Sequence, residues 1–279
     1  MPSSRAQIGS RHTRATPLAV LLSAAVVMMP ATALAVSTEI IPAQADVYVF
    51  EGNPDGNTAS IALLQAGVGR GRKVGRIVAY IRFGLADIPK SSFFKKTRVT
   101  RATVSLFAQS TGLARADSHF LVSVARCSDS SWIEAKMAWS NRACPALEQA
   151  EDVVAIDGTE LPQLFQWDVA QSVSKAVRSG GSRLTFVVSA FRIPKLTGGE
   201  REIIPEEQFG SKESVGFVRF WSRERAGFGR TGVPTLRVTY EREDTELARF
   251  MKTIVAIVSA LGAFLGIWGS LRRFTHRQG

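Results

Sequence analysis

The chain has 279 residues, 45% of them hydrophobic and 21% charged, a balance that suits folded structure and excludes wholesale disorder. Two cysteines and three histidines are too few for a disulfide-dense scaffold or for a zinc site built from clustered side chains. The net charge of +11 overstates how basic the working part is, because Arg5, Arg11, Arg14, Arg272, Arg273 and Arg277 lie in acid-free ends.

Residues 1–35 have the layout of an export signal. Arg5, Arg11 and Arg14 form a positive leader, Leu18 to Met29 an uncharged apolar stretch, and Ala33-Leu34-Ala35 a small-residue cleavage site. The expected product begins at Val36; an uncleaved signal anchor and an organelle presequence are the alternatives. Residues 36–245 then form the predicted extracytoplasmic domain. Short alternating runs recur through it, at Arg76–Phe83, Thr100–Ala108, Phe120–Ala125, Leu184–Ala190, Val215–Trp221 and Thr235–Tyr240. Turn-rich pieces such as Glu51–Gly56 and Ser179–Ser182 separate them, and Gly67–Gly71 reads as a flexible basic turn. One short helix is expected over Asp168–Arg178, with Val169, Val173 and Val177 on one face. Many short strands with regular turns predict an all-β, jelly-roll-like β-sandwich.

Cys127 and Cys144 enclose sixteen residues that include Trp132 and Trp139. In an exported domain the two are expected to pair, which is worth ~3 kcal/mol for a loop of this size in the chain-entropy account; two buried free thiols are the alternative.

After a juxtamembrane segment at 246–252, Thr253 to Leu271 contains no charge. Nineteen residues at ~1.5 Å each span ~28 Å, the thickness of a hydrocarbon core, so a transmembrane helix is predicted over 253–271, followed by a cytoplasmic basic tail at 272–279. Trp268 and Arg272-Arg273 suit one membrane edge. A buried core helix is the alternative. Gly262 and Gly266 form a small-residue pair through which two such helices could self-associate. With the export signal, this orientation predicts a single-pass plasma-membrane protein with its N-terminal domain outside.

Several segments together resemble the DNRLRE-domain proteins, which overlap the alginate-binding carbohydrate-binding module family 96. Ala45-Asp46-Val47-Tyr48-Val49 is similar to that family's first strand, and Tyr80 to Pro89 to its second motif. Ser131-Trp132-Ile133-Glu134 through Trp139-Ser140-Asn141-Arg142 resembles its tryptophan loop. Trp167-Asp168-Val169 resembles the start of its helix, and Phe220 to Glu224 with Pro234 to Tyr240 its closing strands. The resemblance covers roughly 43–241, with departures at Gly84, Ala138 and the extra loop Lys195–Val215. It implies an extracytoplasmic β-sandwich and a glycan-binding role.

No nucleophile elbow, His-Glu-x-x-His or phosphate-loop motif occurs, and His119 is the one histidine of the predicted exported domain. No catalytic residue, metal ligand or required cofactor is therefore assigned, with calcium left open because some relatives carry it, although no compact oxygen-ligand loop is present. Arg70, Arg72, Lys73 and Arg76 run into a strand whose polar face carries Tyr80 and Arg82. Guanidinium groups grip carboxylates in pairs, so these six residues are the candidate glycan or polyanion site; a solvated loop paired with neighbouring acids is the plainer reading. Trp132, Trp139 and Trp221 read as packing, and Ser222-Arg223-Glu224 as a structural ion pair. The leading expectation is a membrane-anchored module that binds carbohydrate, by preference an anionic polysaccharide, without catalysis. A docking module for another envelope component is the second, and a polysaccharide lyase or glycoside hydrolase the third. Nucleic acid is excluded as a partner by the expected compartment and the modest charge of the domain.

Overall fold

A computed structural model describes residues 35–71, 73–113, 118–144, 149–193, 215–228 and 232–275. The predicted export segment up to Leu34, Arg72, most of the Lys195–Val215 loop and the last four residues of the predicted tail lie outside the described residues.

The domain is mostly β and sandwich-like. Ten strands run β1 (Ala35–Phe50), β2 (Leu63–Arg70), β3 (Val74–Gly84), β4 (Lys95–Gly112), β5 (His119–Cys127), β6 (Ala150–Asp157), β7 (Gln163–Asp168), β8 (Arg183–Ile193), β9 (Gly216–Trp221) and β10 (Thr235–Asp244). All named pairings are antiparallel, in the order β1-β10-β4-β9-β2-β3-β8-β5-β6, with β7 on β4.

Two long strands roll the sheet over on itself. The first half of β1 pairs with β10, and after an irregularity between Ala43 and Ala45 its second half pairs with β3. β4 likewise serves β10, β7 and β9 in turn along its length. A bulge lets one strand bend and change partners without abandoning its ladder, and here it closes the path from β3 back to β1.

Alternation along the strands fills the space inside. Ile81 and Phe83 of β3, Ala102, Val104 and Leu106 of β4, Phe186 and Val188 of β8, and Val218 and Phe220 of β9 share one continuous core with Trp167. The indole of Trp167 donates to the Val122 carbonyl at 2.9 Å, so its one polar atom is satisfied inside the apolar mass.

The short helix is present as α1 (Ala170–Arg178), and Val169, Val173 and Val177 face the core as their spacing predicts. The Asp168 carboxylate accepts from the Ala170 N–H at its start. Gly180, at φ +74°, ends it, and the Gly181 N–H returns to the Ala176 carbonyl.

One expectation needs correction. Gly67–Gly71 is not a flexible turn: through Arg70 it is the end of β2. A Cβ on Gly67 would lie 2.4 Å from the Gly216 carbonyl oxygen, so the glycine permits a close strand approach, and its φ of +140° is one that side-chain-bearing residues rarely adopt. β6 and β7 were not anticipated either; their exposed Val153 and Leu164 blur the alternation. Trp221 and Phe217 point away from the main core, to which Val218 and Phe220 of the same strand belong; Trp221 instead stacks on Phe107 with ring centroids 4.1 Å apart.

At the C-terminal end, α2 (Glu246–Thr275) begins one residue after β10, so the predicted juxtamembrane segment forms its first turns. Among the described residues no helix is long and apolar enough to cross a membrane. The span predicted over 253–271 rests on the sequence.

Candidate functional site

Cys127 and Cys144 form a disulfide. The loop they close lies over the outer face of β1, β3 and β8, making a second, smaller core of Val47, Val49, Val78, Tyr80, Val187, Trp132 and Met137. β3 is therefore buried on both faces, and its supposed polar face is partly an interior.

This cover decides the fate of the six predicted ligand residues. Tyr80 is fully buried: its hydroxyl donates to the Cys144 carbonyl at 3.2 Å and its ring meets Trp132 edge-on. Burial pushes its phenol up to about 12. A sugar cannot reach that ring, so the expectation that Tyr80 displays itself to ligand is corrected. Arg82 donates from Nη1 to the Trp132 carbonyl at 2.5 Å, with its guanidinium 4.7 Å from the centre of the indole ring. Burial, then Arg183, lowers its affinity for the proton from the ordinary arginine value. It serves chiefly to hold the loop down.

Arg70 and Lys73 are exposed at the β2–β3 hairpin, and Arg72 lies outside the described residues. Arg76 is the member of the set that meets something new. Its guanidinium lies 5.5 Å from the Trp139 ring centre, and that of Arg142 lies 4.1 Å from the same ring. Arg142 also donates to the Trp139 carbonyl at 2.8 Å, and Glu51 approaches Arg76 at 3.8 Å. The turn at Pro54 and Asp55 holds this platform in place, because Ser140 donates its N–H to the Pro54 carbonyl and its hydroxyl to Asp55. Sequence reasoning assigned Trp139 to packing and left Arg142 unassigned. The signal that could have found them is the Trp139-x-x-Arg142 spacing beside a bridging cysteine, which places both on a loop that must cover a basic strand.

A second polar cluster sits where the loop meets β1 and β9. Arg223 donates from Nη2 to Glu134 and Glu224, both at 2.9 Å, from Nη1 to the Gln44 carbonyl, and from its backbone N–H to Asp46 at 2.7 Å. The Ser222 hydroxyl donates to the Ile61 carbonyl. This is the structural ion pair anticipated for Ser222-Arg223-Glu224, enlarged to tie together β1, the loop and β9. Asp46 is 2% exposed, and its Oδ1 accepts no hydrogen bond among the described residues. Burial first, helped by Glu224 and Glu134, raises its carboxyl to about 8 against the opposing Arg223 N–H.

Asp46, Glu134 and Glu224 bring carboxylate oxygens within 4.8 Å of one another. The positive charge among these carboxylates is the Arg223 guanidinium, which bonds Glu134 and Glu224.

The family model of carbohydrate-binding module family 96 matches residues 37–198, from β1 through β8. The chain belongs to this family. No curated protein matches it. The matched part of the family 96 module contains the disulfide loop, the basic hairpin and the Trp139 platform. The family is one of carbohydrate-binding modules.

Proposed function

We propose that the chain captures an anionic polysaccharide outside the cytoplasm, without cleaving it, while its C-terminal segment holds it in the plasma membrane. The observation that carries the ligand class is the convergence of Arg76 and Arg142 on Trp139. Two guanidinium groups ordered by one indole lose less freedom on binding than two unordered arginines, and a guanidinium such as that of Arg76 can form paired hydrogen bonds to a uronate carboxylate or a sulfate. Arg70 and Lys73, exposed on the adjoining hairpin, extend the positive track along which a polymer would lie. Glu51 does not block this, since an exposed ion pair at 3.8 Å is weak and a ligand carboxylate can replace it.

Anchoring is supported by the charge-free run 253–271 and the export-like first 35 residues. Contact between two anchors through Gly262 and Gly266 belongs to the same reading.

Affinity electrophoresis in gels containing sodium alginate, polygalacturonate or a neutral glucan tests the proposal. Retardation by an acidic polymer, weakening with salt, is expected. Arg76→Ala with Arg142→Ala should weaken it at least ~10-fold, because each lost charge-assisted contact is worth ~1.5 kcal/mol. Equal retardation by the neutral polymer, indifference to the double substitution, or new unsaturated or reducing ends would overturn it.

A further inference from the structure

The turn between β3 and β4 ends in two adjacent phenylalanines that the domain does not bury. Phe93 is 72% exposed and Phe94 54%, their rings edge to face with centroids 5.3 Å apart. Polar bonds hold the turn that displays them: the Lys95 N–H donates to the Ser92 hydroxyl at 3.1 Å, and the Thr97 N–H to the Ser91 hydroxyl at 3.1 Å.

The same turn is bolted to the root of α2. The Thr245 N–H donates to the Phe94 carbonyl at 3.0 Å, and the Thr245 hydroxyl donates to the Phe93 carbonyl at 2.9 Å. That hydroxyl also accepts from the Ala248 N–H at 3.3 Å, capping the helix. The Phe pair is thus fixed beside the first turns of α2, where Phe250, Met251, Val255 and Val258 are themselves exposed.

We infer that this pole of the domain, Phe93 and Phe94 together with the first turns of α2, is a lipid-contacting surface that seats the module in the interface of an anionic bilayer. The inference rests on the anchoring proposed above and adds which face of the folded domain meets the lipid. Continuity is the first support: an apolar helix leaves the domain at the point where two aromatic side chains already project. Charge is the second. Exposed Lys95 and Lys96 follow the phenylalanine pair directly in the chain, exposed Lys90 precedes it, and exposed Arg249 and Lys252 lie in the first turns of α2, a set of bases suited to lipid phosphates. The acids here are compensated. Glu243 and Asp244 stand opposite Lys96 and Lys95 across the β10–β4 ladder, Lys252 bonds Asp244 at 2.5 Å, and Glu246 occupies the first turn of α2, where the helix N–H groups favour a carboxylate. The five bases named outnumber Glu243, Asp244 and Glu246, so an anionic surface would meet a net positive charge.

The test uses the full chain, native disulfide intact, reconstituted into phosphatidylcholine–phosphatidylglycerol vesicles. One spin label is placed through Phe93→Cys and, in a separate protein, through Lys136→Cys on the disulfide loop. Flotation reads the anchoring; collision with oxygen against a water-soluble nickel chelate reads the depth of each label. The expected result is co-flotation with a severalfold higher oxygen-to-nickel ratio at position 93 than at 136. Co-flotation with both labels equally open to nickel overturns the inference alone and leaves the Phe pair to a protein partner. Failure to float overturns the anchoring, and the inference with it.

Discussion

The two cores of the module are built by opposite means. The main core is enclosed by the strands with α1 packed against them: side chains from β1 to β10 and α1 meet across the rolled sheet, and its largest member, Trp167, is wholly buried. The second core lies outside that roll, on the back of β1, β3 and β8, and exists because a disulfide-closed loop brings Trp132 and Met137 over it. The first depends on the alternation of many strands, the second on one covalent bridge and a few polar ties such as Tyr80 to Cys144 and Arg223 to Glu134. A module can therefore lose its second core, and with it the Trp139 platform, while its sheet survives.

The sharpest way to break that distinction is in the main core. Trp167→Ala removes the side chain around which Phe165 and Phe220 pack, together with its bond to the Val122 carbonyl, so it should cost about 3–5 kcal/mol. Chemical denaturation should show loss of both cores together. Cys127→Ser with Cys144→Ser is the next largest change, about 3 kcal/mol. Amide hydrogen exchange should then rise across residues 128–144 with little change in β4 or β9, and polyanion binding should weaken. Uniform loss of protection would mean that the two cores are one cooperative unit.

The smallest effect is a pH dependence at the seam between the loop and the roll. Asp46 ionises at about 8 in the fold and near 3.8 when solvated. The folded state thus holds a proton that the unfolded chain releases between these values. Stability is fully present below about pH 4, falls as the pH rises towards 8, and is flat above. Glu134, also raised by burial, adds to the slope. Asp46→Asn, which imitates the protonated acid, should flatten most of the slope between pH 5 and 8 in thermal melts. An unchanged slope would place the titrating group elsewhere.

Period-two alternation made β3, β4, β5, β8, β9 and β10 legible, because each shows one apolar face to the main core. α1 was legible from Val169, Val173 and Val177 alone. β2 was hidden because glycines stand where its neighbours leave no room for side chains, as at Gly67 against Phe217. The candidate site was half legible. Arg76 stood out as one of a run of bases, but Tyr80 and Arg82 looked exposed only because nothing local signals that a loop some fifty residues later folds back over them. Trp139 and Arg142 gain their meaning from that same return.

The seam between β1 and β10 also constrains how the protein is made. Val36 to Pro42 have as partners Glu241 to Thr235, so the opening strand must wait for almost the last one. During synthesis the roll cannot shut until residues 235–241 have left the ribosome, a long-range pairing of the kind that slows folding. Until then the first half of β1 is an open edge for any passing strand, a hazard that a chaperone would have to manage.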